Sequence, residues 1–193
     1  MGRYSEYFKE IWKLQANRKV LGIGLFNVIV DNSKTFTPGD AIIPLPGVDQ
    51  AIQILTQKGY DFIIITGQPV NRSRSLDVTD FENIISGTRE FIMELGGRVR
   101  NVYYAPSTDK NDPYVKPNPG MWERAQAENN FKWAETVFVG SEPNDVKASN
   151  KVKATPILIK PANTESKMKA FELTNNIKVQ EFPSFLDFAN SMP

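Results

Sequence analysis

The sequence predicts a single α/β domain built on an open parallel sheet with helices on both faces. Two observations carry this. Short apolar runs of strand length, rich in β-branched residues, alternate along the chain with segments of helical periodicity. The stretches joining successive strands are long enough to hold a crossover helix, which parallel neighbours require.

Taken in order, Tyr4, Tyr7, Phe8, Ile11 and Trp12 fall at helical spacing, so residues 1–18 are assigned to an amphipathic helix ahead of the domain and residues 19–193 to the domain itself. Val20–Val30 (VLGIGLFNVIV) reads as a buried strand running into a loop. Pro46-Gly47 leads into a helix whose buried stripe is Val48, Ala51, Ile52 and Leu55, with Gly59 at its C-terminal cap. Tyr60–Thr66 (YDFIIIT) is a central parallel strand. A loop with Gly67, Pro69 and Asn71 follows, and only a minimal cap is expected above the sheet. Thr79 and Glu82 form a capping box opening a long helix that ends at Gly96-Gly97. Val99–Tyr104 is the next strand, and Ala105–Asn118 an irregular loop. A helix over Pro119–Asn129, a strand over Thr136–Val139, a short helix over Asn144–Asn150 and a strand over Thr155–Ile159 continue the alternation. Ile177–Val179 is a final strand, and Ser184 caps a last helix through Ala189.

Composition narrows the chemistry. The 193 residues hold neither Cys nor His, which removes thiolate nucleophiles, Ser-His-Asp relays, imidazole acid/base catalysis and metal sites built on sulfur or imidazole. A hard cation held by oxygens, such as magnesium, stays compatible with the residue set. Lys plus Arg number 23 against 22 acids, a balance with no electrostatic case for nucleic acid or an anionic membrane surface. Apolar runs are too short to span a bilayer and the first residues do not read as a secretory signal, so the cytoplasm is the default location.

In an open parallel sheet ligands bind beyond the carboxyl ends of the strands. Three groups stand there. Thr66-Gly67-Gln68 offers a hydroxyl and turn amides to a phosphate. Lys116, held between prolines in Lys116-Pro117-Asn118-Pro119-Gly120-Met121, gives a positive charge of restricted approach. Val139-Gly140-Ser141-Glu142-Pro143-Asn144-Asp145 is an acidic turn entering a helix, where Glu142 or Asp145 can ligate a cation or favour the helix N-terminus.

These three, in this order, resemble motifs two, three and four of the haloacid dehalogenase (HAD) phosphatases. The match is closest to the branch with heptose bisphosphate, histidinol-phosphate and polynucleotide 3′-phosphatases. It runs from about Val20 to Lys160 and includes Pro46-Gly47-Val48, Gly59-Tyr60, Phe81, Gly96-Gly97 and Tyr103-Tyr104. The resemblance implies a mechanism in which an aspartate at the first strand's end attacks phosphorus and a second, two residues on, is the acid/base. The motif-two hydroxyl and motif-three Lys hold phosphoryl oxygens, and motif-four acids help bind magnesium.

The first motif departs from this pattern. Aligned backwards from Pro46-Gly47-Val48, Gly24 stands at the nucleophile, Phe26 at the acid/base and Asn27 at the motif's glycine. Ser141 replaces the first motif-four acid, while Asp145 keeps the second. Loss at three acid positions removes the nucleophile and most magnesium affinity. A second register reads Val28–Thr35 as strand, Asp31, Ser33 and Thr35, with Asp31 as nucleophile. The family's zinc loop before motif three is absent, since Ala105–Val115 has neither Cys nor His, so no zinc is expected. The expected protein is therefore a HAD-fold chain that is catalytically degenerate and holds a phosphorylated small molecule through Thr66, Gly67, Gln68 and Lys116. The alternatives are a magnesium-dependent phosphatase using Asp31, and an interaction module docking through the Tyr4–Trp12 helix.

Overall fold

In a computed structural model of the chain, the described residues are 18–32, 42–67, 70–71, 74–75, 78–105, 107, 109–160, 177 and 179–193. The expected helix over Tyr4–Trp12 and the candidate residue Gln68 lie outside them, as does Ser33 of the alternative register.

Six strands form one parallel sheet in the order β5-β2-β1-β6-β7-β8: β1 (Lys19–Ile23), β2 (Tyr60–Thr66), β5 (Val99–Tyr104), β6 (Val137–Gly140), β7 (Thr155–Ile159) and β8 (Gln180–Phe182). A separate antiparallel pair, β3 (Val70–Asn71) and β4 (Arg74–Ser75), sits in the loop after β2. The helices are α1 (Val48–Gln57), α2 (Val78–Glu94), α3 (Gly120–Asn129), α4 (Pro143–Lys151) and α5 (Phe185–Ser191).

The pleat of β2 explains the two-sided core. Its alternating side chains feed two clusters: Phe62 and Ile64 join Leu21, Ile23 and the α1 stripe, while Ile63 and Ile65 join Trp122, Trp133 and Phe138 on the other face. In α1, Val48, Ala51, Ile52 and Leu55 are buried, as their spacing predicts. Gly22, in the middle of β1, is there for close approach: a Cβ would stand 2.6 Å from the Trp133 ring and 2.7 Å from Phe138. Lys58, just past α1, donates to the carbonyls of Ala189 and Met192, tying α1 to the carbonyl end of α5.

Asp61 is fully buried at the start of β2, opposite in the strand to Thr66. It binds the guanidinium groups of Arg18, Arg98 (3.0 Å) and Arg100 (2.9 Å). These ion pairs fasten the amino ends of the central strands, because Arg18 precedes β1 and Arg98 and Arg100 flank the start of β5.

Several boundaries differ from expectation, β6 among them, which runs one residue later than Thr136–Val139. β1 ends at Ile23, and Leu25–Val30 folds into a turn in which Ile29 and Val30 amides return to the Leu25 carbonyl. The apolar residues Val28, Ile29 and Val30 are buried by that turn rather than by a continuation of β1. α2 begins at Val78, so Thr79 lies within its first turn instead of capping it. α3 begins at Gly120 with Pro119 as its N-cap residue. α4 starts at Pro143, one residue before the expected start. The last strand is Gln180–Phe182 rather than Ile177–Val179; Ile177 and Val179 instead pack with Val146 and Leu158. The Ser184 cap is present, its hydroxyl accepting the Asp187 amide at 3.1 Å.

Candidate active site

A cavity of about 380 Å³ opens at the carboxyl ends of β1, β2 and β6. It brings together the predicted positions Gly24, Phe26, Thr66, Gly67, Lys116, Ser141 and Asp145 from four separate stretches of chain. Each arrives by a local rule. Gly24 leaves β1 with its amide on the Val139 carbonyl (2.8 Å), which fixes the strand's end against β6. Asn27, set at the motif's glycine by the same register, has φ 58°, a region in which glycine and asparagine are the favoured residues. Thr66 is the last residue of β2, buried, with its hydroxyl donating to the Gly67 carbonyl at 3.0 Å. The Lys116 stem passes over Gly67, its Cε 3.4 Å from where a Gly67 Cβ would lie.

Asp145 is the organising group. Its Oδ2 accepts the amides of Ser141 and Glu142, each at 3.1 Å, as an acid in the first turn of α4 is placed to do. Its Oδ1 accepts Lys116 Nζ at 2.6 Å. Asp145 therefore favours the N-terminus of α4 with one oxygen while the other faces Lys116 across the cavity. Gly140 is required for this, since a Cβ there would fall 2.4 Å from the Asp145 Cβ. Lys116 has a second, looser partner in Glu142 at 3.6 Å. Its side chain is 15% exposed, against 56% for that of Glu142. Burial alone would lower the lysine's pKa, but the Asp145 and Glu142 carboxylates outweigh it and hold the ammonium above its ordinary value. A solvated loop lysine is thus excluded as a description of Lys116.

Gly24 and Phe26 bring no carboxylate to the cavity. A Cβ at Gly24 would meet only ordinary contacts, 3.4 Å to Val28 Cγ2 and 3.6 Å to the Val139 carbonyl. Packing therefore does not demand a glycine there. The Phe26 ring turns into the aromatic group with Phe81 (centroids 6.4 Å apart), which in turn meets Tyr104 edge-on at 5.1 Å. The Phe26 carbonyl accepts the Ser141 hydroxyl at 3.0 Å.

Asp31 does not line the cavity. Its amide donates to the Ile43 carbonyl, in a segment where Val30 bridges Pro44 beyond the β1 turn. Four polar lining residues were not singled out from sequence: Asn32, Ser107, Lys110 and Asn144. Polar residues in loops carry no periodicity, so only the fold could select them. Asp109, exposed, and Asp112, half-buried, are turn formers, accepting the amides of Asn111 and Tyr114.

A family model for haloacid dehalogenase-like hydrolases matches residues 3–152. The chain belongs to that family. The D-glycero-β-D-manno-heptose-1,7-bisphosphate 7-phosphatase of Neisseria meningitidis is 27% identical over 153 residues, covering 78% of this chain and 81% of the relative. That of Pseudomonas putida is 32% identical over 125 residues, covering 64% and 71%. Among solved structures, the D,D-heptose 1,7-bisphosphate phosphatase from B. bronchiseptica, complexed with magnesium and phosphate, superposes with a TM-score of 0.72 at 20% identity, over 89% of this chain and 96% of that one. The HAD core architecture is thereby established for this chain. Among its described residues no helix is long and apolar enough to cross a membrane, and no three or more acids gather as a metal-holding group.

Proposed function

We propose that this HAD-family member binds a phosphorylated small molecule, of the sugar phosphate class its relatives' names indicate, and does not hydrolyse it. The carrying observation is that one cavity holds Thr66, Gly67 and Lys116 while Gly24 and Phe26 bring no carboxylate to it. A phosphate seated there meets the Thr66 hydroxyl, the turn at Gly67 and the Lys116 ammonium. No side chain at the end of β1 can attack phosphorus or protonate a leaving oxygen. The remaining pocket carboxylates, Glu142 and Asp145, both face Lys116.

The reading is tested with heptose 1,7-bisphosphate in two assays: phosphate release with magnesium present, and calorimetric binding. The expected result is saturable binding without turnover above buffer, with binding lost on Lys116→Met. Turnover that disappears with Lys116→Met would overturn it. An Asp31→Asn variant separates the alternative register. Binding within about twofold of the parent is expected because Asp31 lies off the cavity wall; activity that depends on Asp31 would restore the phosphatase reading.

A further inference from the structure

The resemblance to HAD phosphatases implies a magnesium ion, so the oxygen donors around Lys116 decide whether one belongs here. Magnesium asks for about six oxygens at roughly 2.0–2.1 Å in near-octahedral array. Asp145 Oδ1 is occupied by the Lys116 ammonium at 2.6 Å, and Oδ2 by the Ser141 and Glu142 amides at 3.1 Å each. The Ser141 hydroxyl donates to the Phe26 carbonyl, engaging the main-chain oxygen at that position. Gly24 and Phe26 have no side-chain oxygen. Glu142 leans on the same ammonium from a more exposed position, at 3.6 Å. The residues present do not fit the ion: the Asp145 and Ser141 oxygens and the Phe26 carbonyl already serve hydrogen-bond donors or the ammonium, and a dication would meet Lys116 at close range.

We propose that Lys116, seated on Asp145, is the built-in cation of this pocket, which takes a phosphate group without any divalent metal. The proposal rests on the phosphate-binding reading above and specifies its electrostatics. Two features suit Lys116 to the part. The short bond to Asp145 fixes the ammonium in place, whereas the pair with Glu142 is long and solvent-facing. An entering phosphate therefore displaces Glu142 from the ammonium, its carboxylate staying with the α4 capping box, and leaves the Asp145 pair intact. The ammonium then has one carboxylate and one phosphate as partners.

The test is calorimetry on the full chain with two probes, magnesium chloride alone and inorganic phosphate, the second measured in magnesium and again in EDTA. No saturable magnesium binding is expected, and phosphate affinity should agree within about twofold between the two buffers. Glu142→Gln should tighten phosphate binding by about fivefold in both, since it removes a competing anion beside the ammonium. Saturable magnesium binding to the parent chain, or phosphate affinity about tenfold higher in magnesium than in EDTA, overturns the built-in cation. Absence of phosphate binding in both buffers overturns the functional reading as a whole, so the two failures are distinguishable. The two overturning measurements are both made on the parent chain.

Discussion

Replacing Lys116 with Met keeps the stem and removes the charge. In the parent, Nζ lies 2.6 Å from Asp145 Oδ1, and the Asp145 side chain is only 3% exposed. Removing one partner of a buried pair costs about 3–5 kcal/mol when the other charge is left unsupported. Asp145 is not wholly unsupported, because it retains the Ser141 and Glu142 amides and the first turn of α4. Anions at helix N-termini gain about 0.3–1 kcal/mol, and up to about 2 when partly buried. Setting that against the loss leaves a destabilisation of about 2 kcal/mol, or a Tm lower by roughly 4–8 °C for a domain of this size. Charge-assisted hydrogen bonds contribute about 1.5–3 kcal/mol, so sugar phosphate affinity should fall by roughly 10- to 150-fold. Differential scanning calorimetry measures the first quantity and titration calorimetry the second, with circular dichroism checking the fold. A double-mutant cycle with Asp145→Asn isolates the pair and should show coupling of at least about 1 kcal/mol. A Tm within about 1 °C of the parent, together with affinity within about twofold, would refute the reasoning.

Asp61→Asn should cost about 3 kcal/mol in urea unfolding, because three arginines lose a fully buried counter-charge; a loss below about 1 kcal/mol would show that solvent already screens Arg98 and Arg18. Gly140→Ala forces its Cβ against Asp145 and should destabilise by about 1–3 kcal/mol while weakening phosphate binding, read by the same two methods. For pH, the folded-state pKa of Lys116 lies above its unfolded value, so its stabilising contribution is complete below about pH 10.4 and is lost as pH rises through the folded value. Urea midpoints of the parent minus those of Lys116→Met should thus be flat from neutral pH to about 10 and shrink above it; a difference that shrinks below about pH 9 contradicts the assignment.

The amino-acid order alone determined the features that depend on local periodicity. YDFIIIT has strand length and β-branching, and β2 spans those residues without adjustment. The i, i+3, i+4, i+7 stripe from Val48 to Leu55 defines the buried face of α1, and Ser184 before a helical segment marks its cap. The absence of Cys and His, and the order of Thr66, Lys116 and Asp145, were likewise properties of the chain as written. Where the alternative pairing partners were remote, the sequence could not choose. Val28–Val30 are apolar enough for a strand, yet β1 stops at Ile23 because Gly24 bonds to β6 and the next residues turn inward. The last strand lies three residues later than its apolar pair suggested, since at the sheet's edge its position follows from pairing with β7. An acid within the apolar run of β2 was a visible sign of Asp61, but only the sheet brings Arg18, Arg98 and Arg100 around it. The tertiary structure also decided what Lys116 is. Its loop sequence permits a solvated lysine, and only the packing of that loop over Gly67 and α4 buries the ammonium on Asp145, where low exposure makes the charge strong and its partner fixed.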